Sequence, residues 1–275
     1  MAHGLRLGAL ALATGVVASG CTGGSALLHP AHVLGEGLTS AGVGLTGTFV
    51  GGDAASAIRD ARGVAGAGTG ATGPASDAQA ATYARGAAAA GALGPGVSPW
   101  VGARVGLPHA SEAGLTYTGH LVRVDARHAF EAEHWALSVG AGASAVLARR
   151  GNGDSSELEG LVLEGENGWG LDVPVLVGWR STSGILSLWA GPRAGWERLG
   201  GTVTFRIATP PPGGDVAVTH TWAGGVLGAR VGFRHVFAAF ELDASAHKLD
   251  GSLAGSDVSV RGVSLAPSGA LVATF

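Results

Sequence analysis

Any acid–base or nucleophilic chemistry in this chain would rest on histidine, carboxylate or hydroxyl groups, because its single cysteine, Cys21, sits at the end of an N-terminal apolar run. Asp243 and His247 share one row of an alternating segment, and His220 lies on the segment before it. Four residues along a strand separate Asp243 from His247 by about 13 Å, too far for the shared hydrogen bond that a protease-like pair needs. His29-Pro30-Ala31-His32 offers two imidazoles, but the proline forbids a regular helix and no third ligand type lies near, so a tether without a metal is expected. Gly42-Val43-Gly44-Leu45-Thr46-Gly47 has the spacing of a dinucleotide loop, yet it lies inside an alternating run and opens no helix. No enzyme, cofactor or metal is expected.

The charges that remain fall into rows. Arg123, Asp125 and Arg127 share one row, Glu164, Glu166 and Asp172 another, and Arg193, Arg230, Arg234, Glu241 and Asp243 lie on later segments. Charges withdrawn from water are tolerated when paired and hydrogen-bonded, so mixed signs facing one another across a narrow interior predict a salt-bridged closure. A lining of one sign would have predicted a selective channel.

Such rows require elements whose side chains alternate. In HWALSVGAGASAVLA, Trp135, Leu137, Val139, Ala141, Ala143, Ala145 and Leu147 form one row, with Ser138, Gly140, Gly142 and Ser144 in the other. Between 161 and 179 the odd row holds Leu161, Leu163, Trp169, Leu171, Val173, Val175, Val177 and Trp179, while the acids take the even row. The period is two, which marks strands. Strands are predicted at about 36–50, 82–93, 97–107, 112–130, 134–148, 160–180, 184–206, 216–234, 236–252 and 257–275, ten in all, with eight as the rival count. The segment 82–93, TYARGAAAAGAL, also suits a helix, given alanine's propensity. The Gly/Ala-rich stretch 51–81 is read as an external loop with room for a short helix at 54–62. The link at 108–111 is placed at the same end as that loop, and the turn near 131–133 at the opposite end.

Composition narrows the class. Glycine makes up 50 of 275 residues and charged residues only 13%, with a mean hydropathy of +0.32. This is too apolar for an ordinary soluble surface, yet after residue 20 no apolar run approaches the length of a membrane helix. An antiparallel up-and-down transmembrane β-barrel, an all-β fold with one face on lipid and one on the lumen, satisfies both facts. The charge balance gives no sign of nucleic-acid binding. A water-soluble, lipocalin-like barrel for a small apolar ligand is the alternative, with the large apolar row turned inward.

Two segments carry resemblances. Val17-Ala18-Ser19-Gly20-Cys21 resembles the lipobox of bacterial lipoproteins, with Ala18 where leucine is usual. The resemblance implies a signal peptide at 1–20, diacylation of Cys21, a lipid-anchored tether at 21–35 and a single barrel domain at 36–275. Thr22 in place of aspartate implies transfer to the outer membrane, anchored on the periplasmic side. The last stave, VSLAPSGALVATF, places Leu265, Gly269, Leu271, Ala273 and Phe275 on one face, which is similar to the terminal signal of bacterial outer-membrane barrels. It implies outer-membrane lipid and the barrel-assembly machinery as partners. The seven tryptophans lie near predicted strand ends, where interfacial girdle residues sit. A structural, adhesive or minor transport role is expected, with no external ligand identified.

Overall fold

A computed structural model describes residues 24–67, 76–119, 121–146, 161–205 and 214–275. Ten strands form one antiparallel sheet: β1 (Thr39–Gly51), β2 (Gly96–Leu107), β3 (Ser111–Tyr117), β4 (Leu121–Glu131), β5 (Trp135–Val146), β6 (Leu161–Arg180), β7 (Leu186–Phe205), β8 (Gly214–Phe233), β9 (Val236–Leu253) and β10 (Ser256–Thr274). Each pairs with its neighbour in sequence, and β1 pairs with β10 to close the barrel. Closure removes every sheet edge and satisfies the ladder internally, the condition for a sheet in hydrocarbon. The seam ends where Thr39 and Phe275 exchange backbone hydrogen bonds of 3.1 and 2.8 Å. We call this the lower end, since β1 starts and β10 finishes there.

Alternation sets the orientation of each strand. In β6, Trp169 is 51% exposed on the outside, whereas Asp172 is 6% exposed inside. Val43, Leu45, Phe49, Leu115, Val124, Phe130, Leu227, Phe240 and Leu271 also face outward on other strands. A register shift between Glu164 and Asn167 interrupts the β6–β7 ladder.

The strand count matches, but two of its members differ. Residues 82–93 are helical: α1 (Gly52–Ala67) and α2 (Asp77–Leu93) form a hairpin between β1 and β2. Alanine-rich sequence favours helix, and α2 begins with a reciprocal Ser76/Gln79 capping box and ends on Gly94 in the left-handed region. The predicted stave 112–130 divides into β3 and β4 around Gly119, whose φ is +89°. The lost strand and the gained one cancel in the count. They also move the 108–110 link to the lower end, opposite the helical hairpin.

The barrel is taller on one side. Strands β6 to β8 have 20 residues each, while β1 to β5 have 7 to 13. The helical hairpin packs on the inner face of β9 and β10 near their upper ends. Ala54, Ile58, Ala61, Tyr83, Ala87 and Leu93 form an apolar core with Val218, Leu249, Leu253, Val258 and Val260. The two helices approach closely at Gly86, where an added Cβ would lie 2.3 Å from the Ala61 Cβ and 2.4 Å from the Ala57 carbonyl oxygen. Desolvation in this core pushes the Tyr83 phenol up to about 12.

Residues 24–34, expected as a tether, run inside the lumen. Ala26, Leu27, Leu28 and Ala31 are buried with Trp100, Leu176, Trp189 and Val226. The lumen thus has a strap in its lower half and a helical cap in its upper part.

Candidate functional site in the lumen

The inward rows of β2, β3, β4, β6 and β7 bring their charges into one ladder. Arg104 of β2 pairs with Glu112 of β3 and, at 2.5 Å, with Asp125 of β4. Glu112 also receives Arg127 at 2.9 Å, and Asp125 receives Arg123 at 2.5 Å. Asp172 of β6 then joins Arg123 at 2.7 Å to Arg193 of β7 at 2.9 Å. All these side chains are largely buried. Low dielectric strengthens the pairing, while the planar guanidinium fork lets each arginine hold two acceptors.

The ladder grips the strap by its backbone. Arg193 donates to the Ser25 carbonyl at 2.6 Å, and Arg127 donates to the carbonyls of Pro30 and His32 at 2.5 and 3.2 Å. Glu241 of β9 accepts the N–H groups of Leu27 and Leu28 at 2.7 and 3.0 Å, and the Trp189 indole at 3.0 Å. The Trp100 indole donates to the Ala26 carbonyl at 3.0 Å. A segment outside the sheet must satisfy its own peptide groups, and here wall side chains do so. Trp222 and Arg193 close around Gly24, where a Cβ would lie 2.6 Å from the Trp222 ring.

Above the strap, four residues form a relay across β7 to β10. The Glu197 carboxylate lies 2.9 Å from His220 Nδ1, His220 Nε2 lies 3.0 Å from His247 Nδ1, and His247 Nε2 lies 2.7 Å from Ser264 Oγ. One neutral tautomer of each ring satisfies all three bonds, with Ser264 donating to His247, His247 to His220 and His220 to Glu197. Carboxylate, imidazole and hydroxyl in this order can orient a nucleophile. However, Ser264 sits mid-strand, paired with both Ser245 and Val50, so the backbone N–H groups around it belong to the sheet and none is free to hold an oxyanion. Among the described residues, no group of three or more His, Cys, Asp or Glu side chains could hold a metal.

The residues singled out from sequence divide accordingly. Arg123, Asp125, Arg127, Asp172 and Arg193 meet in the ladder, and Glu241 meets the strap. Asp243 faces inward but is bonded to Ser245 at 2.5 Å, and among the described residues no arginine comes within ion-pair distance of it. Arg230 lies below the ladder with its guanidinium 4.5 Å from the Phe237 ring centroid. Arg234 is corrected: it occupies the exposed β8–β9 turn at φ +55° and stacks on Phe233, outside the lumen network. The side chains of Glu164 and Glu166, and Cys21 itself, lie outside the described residues.

Arg104, Glu112, Glu197 and Ser264 were missed. Reading 112–130 as one stave set Glu112 on the row opposite Arg123, Asp125 and Arg127. The break at Thr118-Gly119 reverses that phase and brings Glu112 inside. The girdle expectation is also corrected, since Trp100, Trp189 and Trp222 are buried in the lumen. The outer surface keeps Trp135 beside Trp179 near the lower end, and Trp169 against Trp196, ring centroids 4.8 Å apart, higher up.

No protein-family model and no curated protein matches the chain. Two solved structures share the general form: Neisserial surface protein A (NspA), 10% identical over 86% of this chain and 96% of that one with a TM-score of 0.31, and Ail, the attachment invasion locus protein of Yersinia pestis, 11% identical over 87% and 99% with a TM-score of 0.30. Likeness at this level carries nothing about function.

Proposed function

We propose that this chain is a bacterial outer-membrane β-barrel that closes its own lumen and acts as a structural or adhesive surface protein without catalysis. The observation that carries the membrane assignment is the spacing of the outer aromatics. Trp169 and Trp179 share the outward row of β6, ten residues apart. At about 3.3 Å per residue and a tilt near 40°, they lie about 25 Å apart along the barrel axis, the height of the apolar band of outer-membrane barrels. Leu171, Val173 and Val177 fill that interval, all about half exposed. A soluble lipocalin-like barrel would place this row inside and leave the ladder in water. In this orientation the lower turns face the periplasm and the helical hairpin faces outward. Phe275, presented outward at the seam, supports recognition by barrel-assembly machinery.

The closed lumen is tested by reconstituting the barrel in a planar bilayer. No resolvable current steps are expected from the wild-type chain, and steady ohmic steps at low voltage would refute closure. The lack of oxyanion donors around Ser264 argues against hydrolysis, and covalent labelling of Ser264 by a serine-directed phosphonate would reverse that part of the assignment.

The lipobox-like segment supports acylation of Cys21, with the anchor in the periplasmic leaflet. Gly24 is held between Trp222 and Arg193, and Arg193 lies seven residues above the start of β7, roughly 18 Å along the axis. Three residues of chain reach at most about 11 Å. An anchored Cys21 and a fully seated strap therefore exclude one another, and the acylated chain draws its first residues out beneath the helical cap. Intact-mass measurement of the mature protein decides between them. A diacylated Cys21 combined with a protease-protected 24–28 segment would contradict this exclusion.

A further inference from the structure

We propose that the lower mouth of the lumen binds an anion of the phosphate class between Arg180, Arg230 and His32. Four lumen arginines, Arg104, Arg123, Arg127 and Arg193, have carboxylate partners within 3 Å. Among the described residues, no acid lies within ion-pair distance of Arg180 or Arg230, although both are inward residues at the lower ends of β6 and β8. The Nε of Arg230 is buried without an acceptor, and both ring nitrogens of His32 are buried without a partner in a residue only 3% exposed. Unsatisfied buried donors are uncommon and call for an explanation, such as a missing acceptor.

These groups share one cavity. Arg180, Arg230 and His32 line a pocket of about 40 Å³ that opens at the lower mouth. That is room for about three water-sized groups, the scale of one phosphate or carboxylate head. Arg180, Arg127 and Arg230 act electrostatically on His32, with Glu131 opposing them, and Arg230 feels both Glu112 and Arg180. The acids nearby are already occupied. Glu112 holds Arg104, Arg127 and the Leu34 N–H at 2.8 Å, and Glu131 accepts the Val33 N–H at 2.9 Å. Stacking on Phe237 fixes the plane of the Arg230 guanidinium. The result is two guanidinium groups and an imidazole converging where the nearby carboxylates are already engaged, and a tetrahedral oxyanion supplies several acceptors at once. This site goes beyond barrel closure and does not depend on it.

The test uses the full mature chain. In uncharged detergent, inorganic phosphate is titrated against chloride at equal ionic strength, reading heat of binding and the thermal unfolding midpoint. In vesicles, phosphatidylglycerol mixed with phosphatidylcholine is compared with phosphatidylcholine alone. Saturable phosphate binding in detergent supports a free anion, and stabilisation confined to phosphatidylglycerol vesicles supports a lipid headgroup. Arg180→Gln combined with Arg230→Gln is expected to weaken binding at least a hundredfold. The same double variant should keep the wild-type difference in gel mobility between heated and unheated samples, since neither arginine holds an ion pair in the barrel. Equal responses to phosphate and chloride together with no phosphatidylglycerol effect would overturn the proposal, as would binding to the double variant at wild-type affinity.

Discussion

Asp172→Asn is expected to lower the stability of the folded barrel by about 3–5 kcal/mol, the loss found when one partner of a buried ion pair is removed. Asp172 joins two halves of the ladder. Its Oδ1 receives Arg123 Nε at 2.7 Å, and its Oδ2 receives Arg123 Nη2 and Arg193 Nε, both at 3.0 Å. Asparagine keeps the shape but removes the charge, and its amide hydrogens face a guanidinium. Arg123 then keeps Asp125 as its charged partner, and Arg193 keeps the Ser25 carbonyl and the Trp222 ring but no carboxylate within ion-pair distance. The check is urea unfolding in detergent micelles, read by the gel mobility of the unheated barrel. Asp257→Asn, at an exposed upper position of β10, serves as the control and should stay within about 0.5 kcal/mol. Equal shifts for the two variants would show that the ladder is not the stabilising element.

Glu241→Leu is expected to release the strap while leaving the barrel closed around its seam. Leucine has similar volume but accepts nothing, so the N–H groups of Leu27 and Leu28 and the Trp189 indole all lose their acceptor. Hydrogen bonds to a charged group contribute about 1.5–3 kcal/mol each, so losing even the two from the strap shifts the seated fraction by two orders of magnitude or more. Limited proteolysis with thermolysin, which cuts beside leucine, reads the change. Cleavage near Leu27 and Leu28 should accelerate at least about a hundredfold in Glu241→Leu, while the barrel fragment remains intact. Unchanged protection would mean that apolar burial of Ala26, Leu27, Leu28 and Ala31 seats the strap without the carboxylate.

The parts legible in the sequence were those governed by period two. Trp169 and Val173 against Asp172 give the orientation of β6 directly, because alternate side chains cannot share a face. The same rule applied to Arg123, Arg193, Glu241 and Asp243 finds the interior rows. Alternation does not reveal where a strand ends. The break at Thr118-Gly119 is short and carries no proline, so 112–130 reads as continuous in sequence and Glu112 falls in the opposite phase. The helix at 77–93 stands where the sequence reads as a strand at 82–93, because its Ser76/Gln79 capping box and Gly94 C-cap, together with alanine's helix propensity, outweigh a loose alternation among alanines. The strap had no local signal. Residues 24–34 form neither helix nor strand, and their seat depends on Glu241, Arg193 and Arg127, one to two hundred positions away. The pairing of His220 with His247 was hidden for a similar reason: diagonal neighbours on adjacent strands meet only once the β8–β9 register is known.

The central claim, that the apolar row of each strand meets hydrocarbon while the ladder lies inside, is tested most directly by nitroxide labels at Val173 and Leu227. These residues are about half exposed on the outer face. With Cys21→Ser as background and the barrel in vesicles, both labels are expected to collide freely with dissolved oxygen and to be shielded from a water-soluble nickel chelate. A label at lumen-facing Ser98 should resist both. Ready relaxation of the Val173 and Leu227 labels by the nickel chelate would place that face in water and contradict a membrane barrel.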